Sequence, residues 1–295
     1  MPRAGTVAVV GKPNAGKSTL LNRLVGEKLS IVSPKPQSTR DRVVGIHTTD
    51  DTQFIFLDTP GLLNPRYALH RAMRATALRA LEEADVILYL TDAAGDSRDR
   101  VSLVEAAALE HPPRAPVLSA LNKADLLAPE ARAGLAQQFP DAAFISALSG
   151  EGLQDLLAAI ALRLPESPFL YPEDELSAQT LRFFASELVR ETALEQLDDE
   201  LPYAVACEIE EFREDRVPVY IRAVLHVERD SQKRILIGAK GARVRSIGQA
   251  ARAKIEALVG QQVYLDLWVK VLPNWRKNVV ALQRFGYRVP EDPTR

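Results

Sequence analysis

Residues Gly11–Ser18 read GKPNAGKS, preceded by the apolar run Thr6–Val10 and followed by Thr19-Leu20-Leu21 as a helical pattern begins. A strand, a glycine loop spaced G-x4-G-K-S/T and a helix are the parts of a phosphate-binding loop. Glycines let backbone N–H groups turn inward around phosphate oxygens with no Cβ in the way. Lys17 is placed to neutralise β/γ-oxygens, and the Ser18 hydroxyl suits Mg²⁺. Gly11, Lys12, Pro13, Asn14, Ala15, Gly16, Lys17 and Ser18 form the first candidate site.

Outward from this loop, short apolar runs recur at Gln53–Asp58, Asp85–Thr91, Pro116–Asn122 and Ala142–Ile145. Helical patterns lie between them, such as Tyr67–Ala84 with Leu69, Met73, Ala77 and Ala80 on one face. The alternation predicts an α/β domain: a mostly parallel sheet with helices on both faces, binding its ligand at the carboxyl ends of the strands. The remaining motifs fall there. In DTPG, Asp58 is suited to hold Mg²⁺ through water and the Gly61 amide to sense a γ-phosphate, with Thr59, Pro60 and Leu62 beside them. In NKAD, Asp125 can accept from guanine N1 and N2, a donor pair that adenine lacks, with Asn122 and Lys123 assigned to the same base. Ser146-Ala147 ends the next strand, where a backbone amide would meet guanine O6. Four elements in this order predict GTP/GDP and Mg²⁺ as ligands.

Composition fits a chain of two domains. The 295 residues are 46% hydrophobic and 26% charged, which excludes disordered and collagen-like classes. One cysteine, Cys207, cannot close an internal disulfide, so a reducing cytoplasmic setting is expected. His47, His70, His111 and His226 show no metal-ligand spacing. No apolar run reaches the ~18 residues of a membrane span, and no signal peptide is expected before Gly11.

Pro165, Pro168 and Pro172 punctuate an extended stretch, giving expected divisions of 1–166, a linker 167–176, and 177–295. Beyond it, a helix is expected over Ser177–Gln196, with Leu181, Phe184, Leu188 and Thr192 on one face. Two strands follow, alternating through Val205, Cys207 and Ile209, and through Val219 to Val227, joined by the turn Glu214–Pro218. Helices then flank GAKG, Gly238–Gly241, the second carrying Val244, Ile247, Ala251, Ile255 and Leu258. A last strand alternates from Val263 to Val271, and Trp275, Val279 and Leu282 predict a closing helix whose other face, Arg276, Lys277, Arg284 and Arg288, is basic. Cys207 and His226 read as structural.

Net charge is only −2, but its distribution is uneven. Residues 173–228 hold 5 Lys/Arg against 15 Asp/Glu, and residues 229–288 hold 13 against 3. The basic stretch suggests an anionic partner.

The nucleotide motifs resemble those of the TRAFAC GTPases across residues 1–165. By that resemblance PQSTR, Pro36–Arg40, is switch I, and Thr39 joins Ser18 and Asp58 around Mg²⁺. Leu62 and Leu63 stand where Ras-like enzymes carry the water-orienting glutamine, so slow unaided hydrolysis is expected. Related GTPases use the loop asparagine to help bind K⁺, which makes Asn14, with Lys17 and Thr39, a catalytic candidate; Arg40 and Arg42 are other sources of positive charge. Leu148 replaces the lysine of Ser-Ala-Lys loops.

The order αββααβ with its GAKG loop is similar to a type II KH domain, whose GxxG loop lets a nucleic-acid backbone approach. Gly238, Ala239, Lys240, Gly241, Arg243, Arg245 and Arg252 are its RNA candidates, with Arg234 and Lys254 nearby. The whole chain is similar to the Era family. That resemblance implies a monomeric cytoplasmic GTPase, with a loosely membrane-associated fraction, that binds the 3′ end of 16S rRNA and assists 30S subunit maturation. Two alternatives stand beside it: a Der-like GTPase whose KH-like domain is a protein-contact platform, and a tRNA-modification GTPase driving a separate module.

Overall fold

The computed structural model describes residues 1–97 and 100–290; the expected second division, running to 295, ends outside them. Contacts divide the chain into two units, Met1–Pro65 with Met73–Ala178, and Arg66–Ala72 with Gln179 onwards.

The first unit is built on β1 (Arg3–Val10), β2 (Val43–Thr48), β3 (Thr52–Asp58), β4 (Val86–Asp92), β5 (Val117–Asn122) and β6 (Ala143–Phe144). They form one sheet in the order β2-β3-β1-β4-β5-β6, parallel except for the antiparallel β2–β3 pair. Its helices are α1 (Lys17–Val25), α3 (Leu103–Ala106), α4 (Pro129–Gln138) and α5 (Leu153–Ala161). The helix α2 (Ala68–Glu83) has Leu69, Met73, Ala77 and Ala80 buried as its periodicity requires. Leu20 and Leu21 of α1 are wholly buried, each contributing ~1.5–3 kcal/mol of hydrophobic stabilisation. Every expected strand is present. The strand β2, VVGIHT, was not anticipated.

The proline-rich stretch does not leave this unit. Gln53 is fully buried and spends its amide on it. Its Oε1 accepts from Leu170 N (2.8 Å) and Tyr171 N (2.9 Å), while its Nε2 donates to Tyr171 O (2.9 Å) and Thr48 Oγ1 (3.1 Å). Further on, Ile46 N donates to Leu176 O, and Ser177 Oγ to Val44 O. Residues 167–178 therefore lie along the edge of the sheet.

The second unit contains α6 (Leu181–Gln196), α7 (Leu201–Ala204), β7 (Ala206–Arg213), β8 (Val219–Val227), α8 (Asp230–Ile237), α9 (Ala242–Val259), β9 (Val263–Val271) and α10 (Val279–Arg284). Its sheet runs β7-β8-β9, with β7–β8 antiparallel and β8–β9 parallel. Alternate residues Val219, Ile221, Ala223, Leu225 and Val227 pack with Ile247, Ala251 and Ile255 of α9 in one core.

Two expectations need correction. On α6 the expected Phe184 and Thr192 are buried and Leu188 packs on the core, but Leu181 is exposed and Ala185, Val189 and Ala193 complete the buried face; the helix begins at Leu181 because Thr180 caps it. The closing helix is interrupted. Trp275–Lys277 is one 3₁₀ turn, and Asn278 then caps α10 by accepting from Ala281 N, which leaves Val279 exposed. Trp275 is buried as a core anchor, its indole N–H donating to Ala204 O at 2.9 Å. His226 is structural, buried and 2.9 Å from Glu208.

Candidate functional site

The loop between β1 and α1 needs its glycines. Gly16 has φ 94°, and a Cβ there would lie 2.2 Å from Asn122 Nδ2; one on Gly11 would lie 2.2 Å from Leu90 O. Gly16 also leaves α1 without a side-chain cap, and the first turn holds no acidic residue. The helix thus offers unpaired N–H groups and its positive dipole end to an anion.

Lys17 is the loop's buried cation, 6% exposed, donating to Gly11 O (3.2 Å) and Lys12 O (3.0 Å). Burial lowers its pKa to about 8 against the opposing pull of Asp58. Carbonyl dipoles cannot balance a buried charge; an incoming phosphate can.

A cluster of oxygens sits beside it. Ser18 Oγ donates to Asp58 Oδ2 at 2.7 Å and lies 2.9 Å from Thr39 Oγ1. Asp58 is fully buried, its Oδ1 has no partner, and burial raises its pKa. Two hydroxyl oxygens at that separation match adjacent corners of an octahedron with ~2.1 Å metal–oxygen bonds. An orphaned buried carboxylate oxygen behind them supplies the charge, so the residues fit Mg²⁺.

Between this cluster and the switch loop lies a cavity of about 360 Å³. Pro13, Asn14, Gly16, Lys17, Ser18, Thr39, Gly61 and Lys123 line it. So do Ile31, Val32, Ser33 and Pro34, which the sequence reading did not single out because that stretch carries no motif. Asn22 fixes the base of this loop, its Oδ1 accepting from Leu29 N and Ser30 N. Asn14 Nδ2 donates to Pro34 O at 3.1 Å, joining the phosphate loop to the segment just before Pro36–Arg40. Gly61 approaches the same loop so closely that a Cβ would lie 2.7 Å from Pro13 N. Thr59 is buried and donates to Val9 O, and Pro60 is buried beside it. Leu62 is buried in the apolar core, with its N–H on Gly11 O, so its side chain cannot reach an attacking water. Arg40 is buried and already partnered, and Arg42 pairs with Glu83.

At the base end, Asn122 makes contacts beyond the one expected of it. Asn122 is buried and bridges backbone to backbone: its Nδ2 donates to Ala15 O (2.8 Å) and its Oδ1 accepts from Ala147 N (2.9 Å). The Ser146 amide donates to Glu151 O. Leu148 N, two residues on, has no backbone partner among the described residues. Asp125 is exposed in the 3₁₀ turn Ala124–Leu126, which follows the left-handed Lys123 (φ 65°). Lys123 is anchored on Asp92.

In the second unit, Gly238 (φ 73°) and Gly241 (φ 78°) turn the chain between α8 and α9, and Lys240 also has φ 50°. A Cβ on Gly238 would meet Arg243 Cβ at 2.8 Å, whereas one on Gly241 would meet only Arg245 Nη2 at an ordinary contact distance of 3.9 Å. A cleft of about 550 Å³ lies beside the loop, lined by Gln196, Ile235, Gly238, Ala239, Arg243 and Ser246. Among the described residues, Lys240, Arg243 and Arg245 have no carboxylate partner. Arg252 pairs loosely with Glu256 at 3.8 Å. Several other cations are paired. Lys254 holds Glu191 and Glu195, Arg276 holds Glu228, and Arg284 holds Glu208. Of the basic face expected on the closing helix, Arg276 and Arg284 are thus paired with carboxylates, whereas Lys240, Arg243 and Arg245 at the GAKG loop are not.

Comparison with known proteins agrees with both domains. A family model described as 50S ribosome-binding GTPase matches residues 6–123, and a KH domain model matches residues 200–276. The GTPase Era of Azotobacter vinelandii is 44% identical over 300 residues, covering 97% of either chain. That of Carboxydothermus hydrogenoformans is 40% identical over 293 residues, covering 97% of this chain and 98% of its own. Crystallographic Era in complex with MgGDPNP and nucleotides 1506–1542 of 16S ribosomal RNA gives a TM-score of 0.90 at 39% identity, over 98% of this chain and 100% of that one. An Aquifex aeolicus Era variant bound to GDP·AlF4⁻ gives 0.89 at 39% identity, over 97% and 100%. A P-loop GTPase domain followed by a KH domain, over nearly the full length of such relatives, places this chain in the Era family of GTPases.

Proposed function

We propose that this chain is a GTP-driven switch that binds the 3′ end of 16S rRNA through its KH domain and assists maturation of the 30S subunit, working as a cytoplasmic monomer. The observation that carries the switch is the position of Thr39, 2.9 Å from Ser18 and beside Asp58. One residue of the switch loop thereby shares the oxygen cluster that would hold Mg²⁺, so the order of that loop depends on the phosphate end of the nucleotide. Mg²⁺ would neutralise charge on the β- and γ-phosphates.

In this reading Lys17 pairs with the phosphates, the Gly61 amide meets the γ-phosphate, and Asp125 and the Leu148 amide read guanine. Hydrolysis is slow because buried Leu62 holds the glutamine position. K⁺ near Asn14 would add the missing positive charge, and the cavity that Asn14 lines together with Ser38 and Thr39 of the switch loop supports that placement. Equal turnover in KCl and NaCl would discard K⁺. The free cations at GAKG support RNA over a protein platform as the KH ligand. A membrane-associated fraction, implied by the family, is tested by vesicle flotation.

The test is affinity for single-stranded RNA bearing the 16S 3′ end, with GDP and with a non-hydrolysable GTP analogue, over a salt series. Sequence-dependent binding that differs between nucleotides is expected. No RNA binding in either state at low salt would sink the proposal.

A further inference from the structure

Even-numbered residues of β8 and β9 face away from the helices of the KH domain, because the odd-numbered ones fill its core. At one end of this outer face, Phe285 packs against His226 and Trp275. Beyond it two large rings lie open along β9: Tyr264 is 58% exposed and Trp268 is 55% exposed. They are held firmly. Tyr220 and Tyr264 stack with centroids 5.8 Å apart and planes 11° from parallel. Asp266, on the same face, accepts from Trp268 Nε1 (2.7 Å), Tyr220 OH (3.0 Å) and Arg222 Nε (3.0 Å). The indole N–H is thus satisfied within the sheet, and what the tryptophan presents outward is a fixed π-face. Fixed rings lose little freedom when a ligand stacks on them.

We propose that this outer face is a second single-stranded RNA surface, on which bases leaving the GAKG groove stack on Trp268 and Tyr264. The inference rests on the KH reading above, and continuity with that groove selects RNA as the occupant. The strand β9 is a sheet edge shared by both surfaces. Its Leu265 and Leu267 join the core beneath α9, the helix that starts at the GAKG loop, while Tyr264, Asp266 and Trp268 alternate onto the platform. A strand crossing that edge passes from cations to rings. Cations on the platform are already paired, Arg222 with Asp266 and Lys270 with Glu210. Its contribution is therefore stacking, tolerant of sequence and little affected by salt, unlike that of Lys240, Arg243 and Arg245.

The experiment compares two RNAs on the full chain: one of about four nucleotides, enough for a GxxG groove, and one extended by about six at each end. Trp268→Ala is expected to weaken the long RNA about tenfold at every salt concentration and leave the short one unchanged, with Trp268→Phe restoring most of the loss. The chain has two tryptophans and Trp275 is buried, so acrylamide quenching reports on Trp268 in the unmodified protein. The long RNA should protect it and the short one should not. Equal quenching with both RNAs overturns the proposal, as does undiminished affinity of Trp268→Ala for the long RNA. If that variant instead loses only 30S particles, the face docks a protein. Failure of the short RNA to bind overturns the groove reading instead.

Discussion

Replacing Gln53 by leucine tests whether one buried amide ties residues 167–178 to the first unit. The substitution keeps similar bulk and removes four hydrogen bonds, those with Leu170 N, Tyr171 N, Tyr171 O and Thr48 Oγ1. At a net ~1 kcal/mol per bond the loss is about 4 kcal/mol. Kept dry, the orphaned backbone groups would cost more, ~1–3 kcal/mol each. The segment can limit that by lifting into water, at the expense of the Ile46–Leu176 and Ser177–Val44 bonds and the packing of Tyr171. About 3–4 kcal/mol is therefore expected for the unfolding transition of the first unit in urea. Hydrogen exchange at Leu170 and Tyr171 should accelerate far more than exchange in β1 or β4. An unchanged urea midpoint together with unchanged protection at those two amides would refute the reasoning.

Asp125→Asn should weaken GDP binding by roughly 100-fold, because it replaces a charge-assisted acceptor of two guanine N–H groups; it should favour xanthosine diphosphate, whose carbonyl takes the amide donor, as calorimetry with both ligands would reveal. Gly238→Ala should cost more stability and more RNA affinity than Gly241→Ala: both meet a positive φ, but only the first meets the Arg243 backbone. Equal thermal shifts would argue against that contact. The Lys17 pKa of about 8 lies below its unfolded value, so the unfolded chain holds the proton between pH 8 and 10.5, and the nucleotide-free protein gains stability as pH rises through that range. Phosphate binding restores the proton, so calorimetry at pH 8.5 in buffers of different ionisation enthalpy should show uptake of roughly three-quarters of a proton. No buffer dependence would mean that Lys17 is already charged in the empty loop.

The nucleotide half was legible because its chemistry is local. A phosphate loop, DTPG and NKAD each specify a short backbone shape, and Gly16, Asp58 and Lys123 take up those shapes where their strands end. Side chains that act across long separations were not legible. The bonds of Asn122 to Ala15 and Ala147 join segments far apart in sequence, and Gln53 gives no signal until Tyr171 is beside it. The strand β2 escaped notice because Gly45, His47 and Thr48 break up its apolar run. The charge map misled for the same reason. Much of the acidic stretch folds onto the basic one, through Glu208–Arg284, Glu228–Arg276 and Glu191–Lys254. In the closing helix, Asn278 broke a pattern that spacing alone made continuous, since an asparagine able to cap a helix starts a new one.

The bridge made by Asn122 has a consequence for selectivity. Its two bonds fasten the loop that cradles phosphates to the loop that meets the base, so each restricts the fluctuations of the other. By thermodynamic linkage, whatever a guanine gains from a stiffened phosphate loop, a pyrophosphate must gain equally from a stiffened base loop. Discrimination against the wrong base is then felt along the whole nucleotide, and free phosphate, which engages one end only, forgoes the cooperative share of the binding energy.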